Sequence, residues 1–176
     1  MIELKKIRTT DSEYSFTESL YVSAFPEEER RPVGRQRVMV DTSIFMNCFL
    51  ISNDGVSIGF VTVWNFSRFV YIEHFAISHE FRNQGYGSLV LDYLQGLENK
   101  PIVLEAELPT DVLSAGRIKF YERNGFCVMN CDYTQPPYSE EQEWLPLVLL
   151  QKSTPSKQVS ADVVVAVLYR NVYMVQ

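Results

Sequence analysis

Phe69-Val70-Tyr71-Ile72-Glu73-His74-Phe75-Ala76-Ile77-Ser78-His79-Glu80-Phe81-Arg82-Asn83-Gln84-Gly85-Tyr86-Gly87 begins as a strand, becomes a polar loop, and ends on two glycines. Residues 69–78 are dominated by aromatic and branched apolar side chains, the composition of a buried strand. After the glycines the hydrophobic period changes. Leu89, Val90, Tyr93, Leu94 and Leu97 recur at helical spacing, which predicts a helix from Gly87 to about Glu98. Glycines let the backbone approach a ligand closely, and the first N–H groups of a helix point outward at the positive end of its dipole. A pyrophosphate suits such a cradle. The loop lacks the Gly-Lys-Ser/Thr of a Walker A sequence and the third glycine of a dinucleotide fingerprint. By itself, a glycine pair before a helix fits a structural turn equally well.

Working outward, residues 44–51 and 56–64 read as strands joined by Ser52-Asn53-Asp54-Gly55, and Asp-Gly favours the positive φ angles of a tight hairpin. With 69–78 they form a three-stranded meander. Upstream, 2–8 reads as a strand. A helix then runs to about Ala24, capped by Asp11 or Ser12. Pro26 breaks it, Glu27-Glu28-Glu29-Arg30-Arg31-Pro32 reads as a solvated corner, and a short helix spans 33–41. Downstream, 101–108 is a strand. A helix at 114–124 has Ser114 as N-cap, Gly125 past its end and Phe126 as the apolar contact of the glycine stop. Residues 126–133 and 145–151 are strands around a Pro-, Tyr- and Glu-rich loop. The order is mixed α/β.

The chain has 176 residues, about one domain at roughly 150 residues each. Apolar residues make up 46% and charged residues 22%, which excludes global disorder. A net charge of −6 argues against a nucleic-acid binder with a wide basic surface. Cys48, Cys127 and Cys131 are an odd count and read as reduced thiols. With only His74 and His79 to add, no metal site is expected. Met1 to Thr10 is charged and carries no signal-peptide core, and 163–169 is too short to span a bilayer, so a cytoplasmic location with no membrane partner is expected. From Lys152 the composition becomes linker-like, and Val163-Val164-Val165-Ala166-Val167-Leu168-Tyr169 reads as an extra strand. That segment packs on its own domain, adds to the sheet edge of a second copy to make a homodimer, or ends the chain in disorder.

Arg82-x-x-Gly85-x-Gly87 after a strand resembles motif A of the GNAT N-acetyltransferase superfamily, and Tyr121-Glu122-Arg123-Asn124-Gly125-Phe126 resembles its motif B. The order of elements is also similar over residues 2–151. The resemblance implies a domain at 1–151 with a mixed, mainly antiparallel sheet splayed between its fourth and fifth strands, and a C-terminal extension at 152–176. It implies acetyl-CoA as cosubstrate, with the pyrophosphate on the backbone of Arg82, Asn83, Gln84, Gly85, Tyr86 and Gly87. The pantetheine arm would pair with Phe75, Ala76 and Ile77, and the Tyr121 hydroxyl would lie near the thioester sulfur. An Asn frequent in the family near the start of the motif B helix is Ser114 here, which can still hydrogen-bond.

Acyl transfer to an amine imposes its own requirements. An amine of pKa near 10.4 costs about 4–5 kcal/mol to present as free base at pH 7. Direct attack therefore needs a proton acceptor and donors for the developing oxyanion. Strict alternation puts Phe69, Tyr71, Glu73, Phe75 and Ile77 on one face, so Glu73 interrupts an apolar row. Desolvation there is expected to raise its pKa and suit it to general-base work, unless an Arg pairs with it. On the same alternation His74 faces away, as a core histidine. Glu105 and Glu107 stand as substitutes for Glu73. The family's acceptor site would be framed here by Glu27, Glu28, Glu29, Glu140, Glu141 and Glu143, whose charge favours a cationic amine such as a polyamine, an aminoglycoside or a protein lysine. A GNAT fold that binds coenzyme A without catalysis is the alternative.

Overall fold

A computed structural model describes residues 1–97 and 99–175, with strands β1 (Ile2–Lys6), β2 (Met46–Asn53), β3 (Val56–Asn65), β4 (Val70–Ile77), β5 (Ile102–Glu107), β6 (Cys127–Val128), β7 (Tyr133–Gln135) and β8 (Leu145–Lys152). The helices are α1 (Tyr14–Ala24), α2 (Val33–Thr42), α3 (Tyr86–Leu97), α4 (Val112–Arg123) and α5 (Ala161–Leu168). The expected end of α3 at Glu98 lies outside the described residues. The strands form one sheet in the order β1-β2-β3-β4-β5-β8-β6, with β7 also on β8. Among the described strands only β4 and β5 run parallel.

Local chemistry explains the frame. Asp54 at φ 49° and Gly55 at φ 80° make the two-residue turn between β2 and β3, whose twist matches that of the strands. Tyr14, Tyr21, Val40 and Val164, from α1, α2 and α5, pack with Trp64, Tyr71, Val103 and Leu149 on one face of the sheet. On the other face, Val90, Leu91 and Leu94 of α3 and Ile118 and Tyr121 of α4 pack with Val61, Ile72, Leu104 and Leu150. Among the described residues no helix is long and apolar enough to cross a membrane.

Two features of the sheet make the site. The first is a splay. Pairing of β4 with β5 covers only Val70↔Ile102, Tyr71↔Val103 and Ile72↔Leu104. Beyond that point β4 stays on β3 as far as Ile77, and β5 stays on β8 as far as Glu107, so a gap opens between them. The second is a β-bulge. Thr62 opposes His74 while Val63 opposes Ile72, which leaves Glu73 unopposed. The His74 N–H is satisfied by Thr62 Oγ1 at 2.9 Å. The bulge overturns the strict alternation expected of this strand. Glu73 and His74 both lie on the α1/α2/α5 face, whereas Phe75 and Ile77 pack with the α3/α4 cluster.

Other expectations need correction. The apolar stretch 163–169 is helical, not a strand. Val164, Leu168 and Val172 fall four apart on one buried face, and packing that face outweighs the strand preference of its valines. Helix α4 starts earlier than Ser114, with Asp111 as its N-cap. Asp111 Oδ1 accepts from Leu113 and Ser114, and the Ser114 hydroxyl completes the box. Glu13, not Asp11 or Ser12, precedes the first turn of α1. The single strand expected over 126–133 is split into β6 and β7.

Candidate active site

A cavity of about 820 Å³ fills the splay and runs from the loop before α3 to the start of the first 3-10 turn, Glu27–Glu29. Its loop end is built for close backbone approach. Asn83 (φ 61°) and Gly85 (φ 82°) are both left-handed, a conformation that turns successive N–H groups toward a common concavity. Arg82 is exposed but not free. Its Nε donates to the Ile77 carbonyl at 2.9 Å and ties the loop to the end of β4. The Gln84 amide donates to the Glu80 carbonyl at 3.0 Å. A Cβ on Gly87 would lie 3.0 Å from the Phe120 ring, so this glycine lets α3 start close against α4.

Tyr121 enters from α4. The helix ends in a Schellman motif: the Phe126 N–H donates to the Tyr121 carbonyl at 3.1 Å and the Gly125 N–H, at φ 84°, to Glu122 at 3.0 Å. The Phe126 ring then packs edge-on against Tyr121 with centroids 5.7 Å apart, as the glycine stop predicts. Burial pushes the Tyr121 hydroxyl up to about 12, so it keeps its proton at neutral pH. It lines the cavity and makes no hydrogen bond among the described residues.

Four carboxylates line the same cavity, in different states. The Glu73 side chain has no exposed surface. It takes Arg31 Nη1 at 2.5 Å, the Trp64 indole N–H at 2.8 Å and the Tyr138 hydroxyl at 3.0 Å. Burial alone would raise its pKa, but Arg31 and these donors outweigh burial and hold the group below the ordinary carboxylate value. The expected rise at Glu73 is therefore overturned, and the Arg partner allowed for in the sequence is Arg31. Glu105 is the reverse case. Its donors are neutral, the hydroxyls of Tyr133 and Tyr173, the latter at 2.8 and 3.0 Å, with Tyr71 beside them, and burial pushes it up to about 7. Glu29 is also raised to about 7, by burial and then by neighbouring Glu107. Glu107 itself pairs with Arg117.

His74 is buried and kept neutral, since burial lowers its pKa. Its Nε2 lies 3.1 Å from the Glu29 carbonyl, and its ring meets Tyr21 and Phe25 edge-on, so it fastens the 3-10 turn over the cavity.

Of the residues read from sequence, Glu73, Phe75, Ala76, Ile77, Arg82, Asn83, Gly85, Tyr86, Gly87 and Tyr121 all line the cavity. Gln84 and Ser114 do not, and the Ser114 hydroxyl is engaged by the Asp111 backbone. Of the six acidic loop residues, only Glu29 lines it; Glu140, Glu141 and Glu143 are exposed elsewhere. Arg31, Tyr138 and Tyr173 were missed. Arg31 sits in a run that looks solvated yet is 5% exposed, and its guanidinium lies over the Tyr138 ring at 4.6 Å. The Arg-Pro pair before α2 and the isolated Tyr138 among prolines are the only local signals. Among the described residues no cluster of His, Cys, Asp and Glu is arranged to hold a metal.

Comparison with known proteins agrees with this architecture. Residues 46–128 match the family model of the acetyltransferase (GNAT) domain. A GNAT-family protein from Bacteroides thetaiotaomicron is 36% identical, with 99% of each chain covered and a TM-score of 0.92. The fold is shared with the ribosomal-protein-S18-alanine N-acetyltransferase from Escherichia coli at 17% identity, covering 90% of this chain and 99% of that one, TM-score 0.59. It is also shared with a spermidine N-acetyltransferase chimera that includes Vibrio cholerae sequence, at 14% identity, 89% and 97% coverage and TM-score 0.62. Among curated proteins none matches the sequence. On its near-complete overlap with the Bacteroides protein, this chain belongs to the GNAT acetyltransferase family.

Proposed function

We propose that the protein moves an acetyl group from acetyl-CoA to a primary amine by direct attack, both substrates being bound together. The observation that carries this reading is one continuous cavity. It joins a left-handed backbone cradle at Asn83 and Gly85 to a raised carboxyl at Glu105 through the gap between β4 and β5. The cradle and the unpaired edge of β4 at Phe75, Ala76 and Ile77 fit a long anionic thioester, which supplies an activated acyl carbon. Backbone N–H groups, not cationic side chains, would hold its pyrophosphate, consistent with a net charge of −6.

The proton acceptor in this scheme is Glu105. A group titrating near 7 is well matched to removing a proton from an ammonium at neutral pH. The proton taken from the ammonium passes from Glu105 to solvent. As the nitrogen–carbon bond then forms and the carbon–sulfur bond breaks, the second amine proton passes to Glu105 and the departing sulfur takes a proton from Tyr121, which solvent restores. Glu73 stays ionised and anchors Arg31 and Tyr138 at the cavity wall. Glu29, raised to about 7, lines the cavity beside the Glu107–Arg117 pair and gains negative charge as pH rises through neutrality, which favours a cationic acceptor.

Thermal unfolding with acetyl-CoA tests the reading. At one hundred times the dissociation constant the ligand adds about 2.7 kcal/mol, roughly 5–10 °C for a chain of this size. No shift at saturation overturns it. Turnover is then measured over a linear diamine, an aminoglycoside and a lysine peptide. Binding without turnover of any amine favours a coenzyme-binding module instead.

A further inference from the structure

The C-terminal segment after β8 reaches back to the reaction face of the sheet. After α5 the chain takes one wide π turn, Tyr169–Tyr173, closed by left-handed Met174 at φ 58° and by the Val175 N–H on the Tyr169 carbonyl at 2.9 Å. Three contacts hold this turn in place. Leu168 and Val172 are buried, the Tyr169 hydroxyl donates to the Thr134 carbonyl at 2.6 Å, and Arg31 Nη2 donates to the Val172 carbonyl at 3.1 Å. The arrangement delivers the Tyr173 hydroxyl to both oxygens of Glu105.

A phenol has one proton to donate, and a carboxylate can only accept. The Tyr173 proton is therefore committed to Glu105. Tyr71 lies 3.2 Å from the Tyr173 oxygen and can donate to it, which forms a polarised chain Tyr71–Tyr173–Glu105. The Tyr138 ring packs on Tyr173 at 5.0 Å, while its own proton goes to Glu73, the nearer acceptor at 3.0 Å rather than 3.5 Å.

We infer that Tyr173 is a positioning residue for the proton acceptor: it fixes the Glu105 carboxylate toward the cavity and stabilises its charged form, so that residues 169–175 complete the active site. This rests on the assignment of Glu105 as acceptor. The groups facing Glu105 are Tyr71 and Glu73 from β4, Tyr133 from β7, Tyr138 from the loop before β8, and Tyr169 and Tyr173 from the C-terminal turn, with Arg31 behind Glu73. Of these, Tyr133 and Tyr173 donate directly to it in the structure. Loss of one donor favours the protonated acid and moves its titration upward.

The test compares the wild type, Tyr173→Phe and Glu105→Gln in the full chain. Glu105 is titrated by carboxyl ¹³C NMR, its signal identified by its disappearance in Glu105→Gln. The pH dependence of kcat/KM is measured with the best amine of the panel. Tyr173→Phe should raise both the NMR midpoint and the acid limb by about one pH unit. That is a roughly tenfold loss of rate at pH 6 that shrinks below about twofold at pH 9. A residue that merely filled space would lower the rate evenly and leave both midpoints in place. An acid limb erased by Glu105→Gln but unmoved by Tyr173→Phe overturns the role of Tyr173 alone. A limb that survives Glu105→Gln removes Glu105 as acceptor and this role with it. Should Tyr173→Phe not fold, 3-fluorotyrosine installed at Tyr173 makes a stronger donor and must move the Glu105 midpoint down; no movement overturns the inference.

Discussion

Glu73 and Glu105 stand on neighbouring strands, just beyond the point where β4 and β5 part, the Glu73 side chain without exposed surface and Glu105 half-buried. They nevertheless titrate in opposite directions. Glu73 has a cation in contact, Arg31, and stays ionised; Glu105 has neutral hydroxyls and sits near 7. Burial by itself does not define a general base. What separates the two is whether a full positive charge or only phenol dipoles repay desolvation. One side of the gap is thereby an anchored ion pair and the other a proton site.

Replacing Glu105 is expected to have the largest effect. Glu105→Gln should cut kcat by about 10²–10⁴-fold and erase the acid limb of the pH–rate profile, with acetyl-CoA binding retained. Glu73→Gln, by contrast, should keep the limb and move it to lower pH, because the Glu73 charge helps to raise Glu105, and loss of the limb would invert the comparison. A second readout is stability. Because the folded pKa of Glu105 is raised, its contribution is fully present below about 4.5 and is lost as pH rises through about 7. Urea titrations should therefore show a flatter decline over that range in Glu105→Gln than in wild type.

Arg31→Met attacks the other side. Removing the cation strands a buried carboxylate and should cost about 3–5 kcal/mol in urea unfolding. Glu73→Gln added to it should recover part of that loss, since the double variant buries no unpaired charge. Additive losses would show that Arg31 acts through its stacking on Tyr138 and Trp64 rather than through Glu73.

The contrast also explains what the sequence could reveal. The meander, the glycine loop and the α4 stop are local events, governed by hydrophobic period, left-handed glycines and a single apolar contact, and they appear where residue order places them. The bulge is not local in that sense. It requires Thr62 to receive the His74 N–H, a partner twelve residues away, and it moves Phe75 and Ile77 off the Glu73 face. Two adjacent polar residues, Glu73-His74, inside an apolar strand are its only trace. Arg31 and Tyr173 approach the two carboxylates from 42 and 68 positions away, so neither carboxyl's titration was legible. The helical period of Val164, Leu168 and Val172 was readable and was masked by β-branched composition.

Tyr121 offers the smallest and most selective test. It belongs to the α3/α4 face, whereas Glu73, Glu105 and their tyrosines belong to the α1/α2/α5 face. Its hydroxyl, raised to about 12, is a proton donor at every pH at which Glu105 titrates. A thiol of pKa near 8.5 leaves tolerably as its thiolate, so losing the donor should matter less than losing the acceptor. Tyr121→Phe is expected to lower kcat by about tenfold, below the usual range for a general acid, with the thermal shift by acetyl-CoA unchanged. The acid limb should stay where it is in wild type. If it moves, the two faces of the splay share one proton network, and the division of labour between Glu105 and Tyr121 fails; if kcat is untouched, the sulfur departs without help and Tyr121 serves only to pack α4 against Phe126.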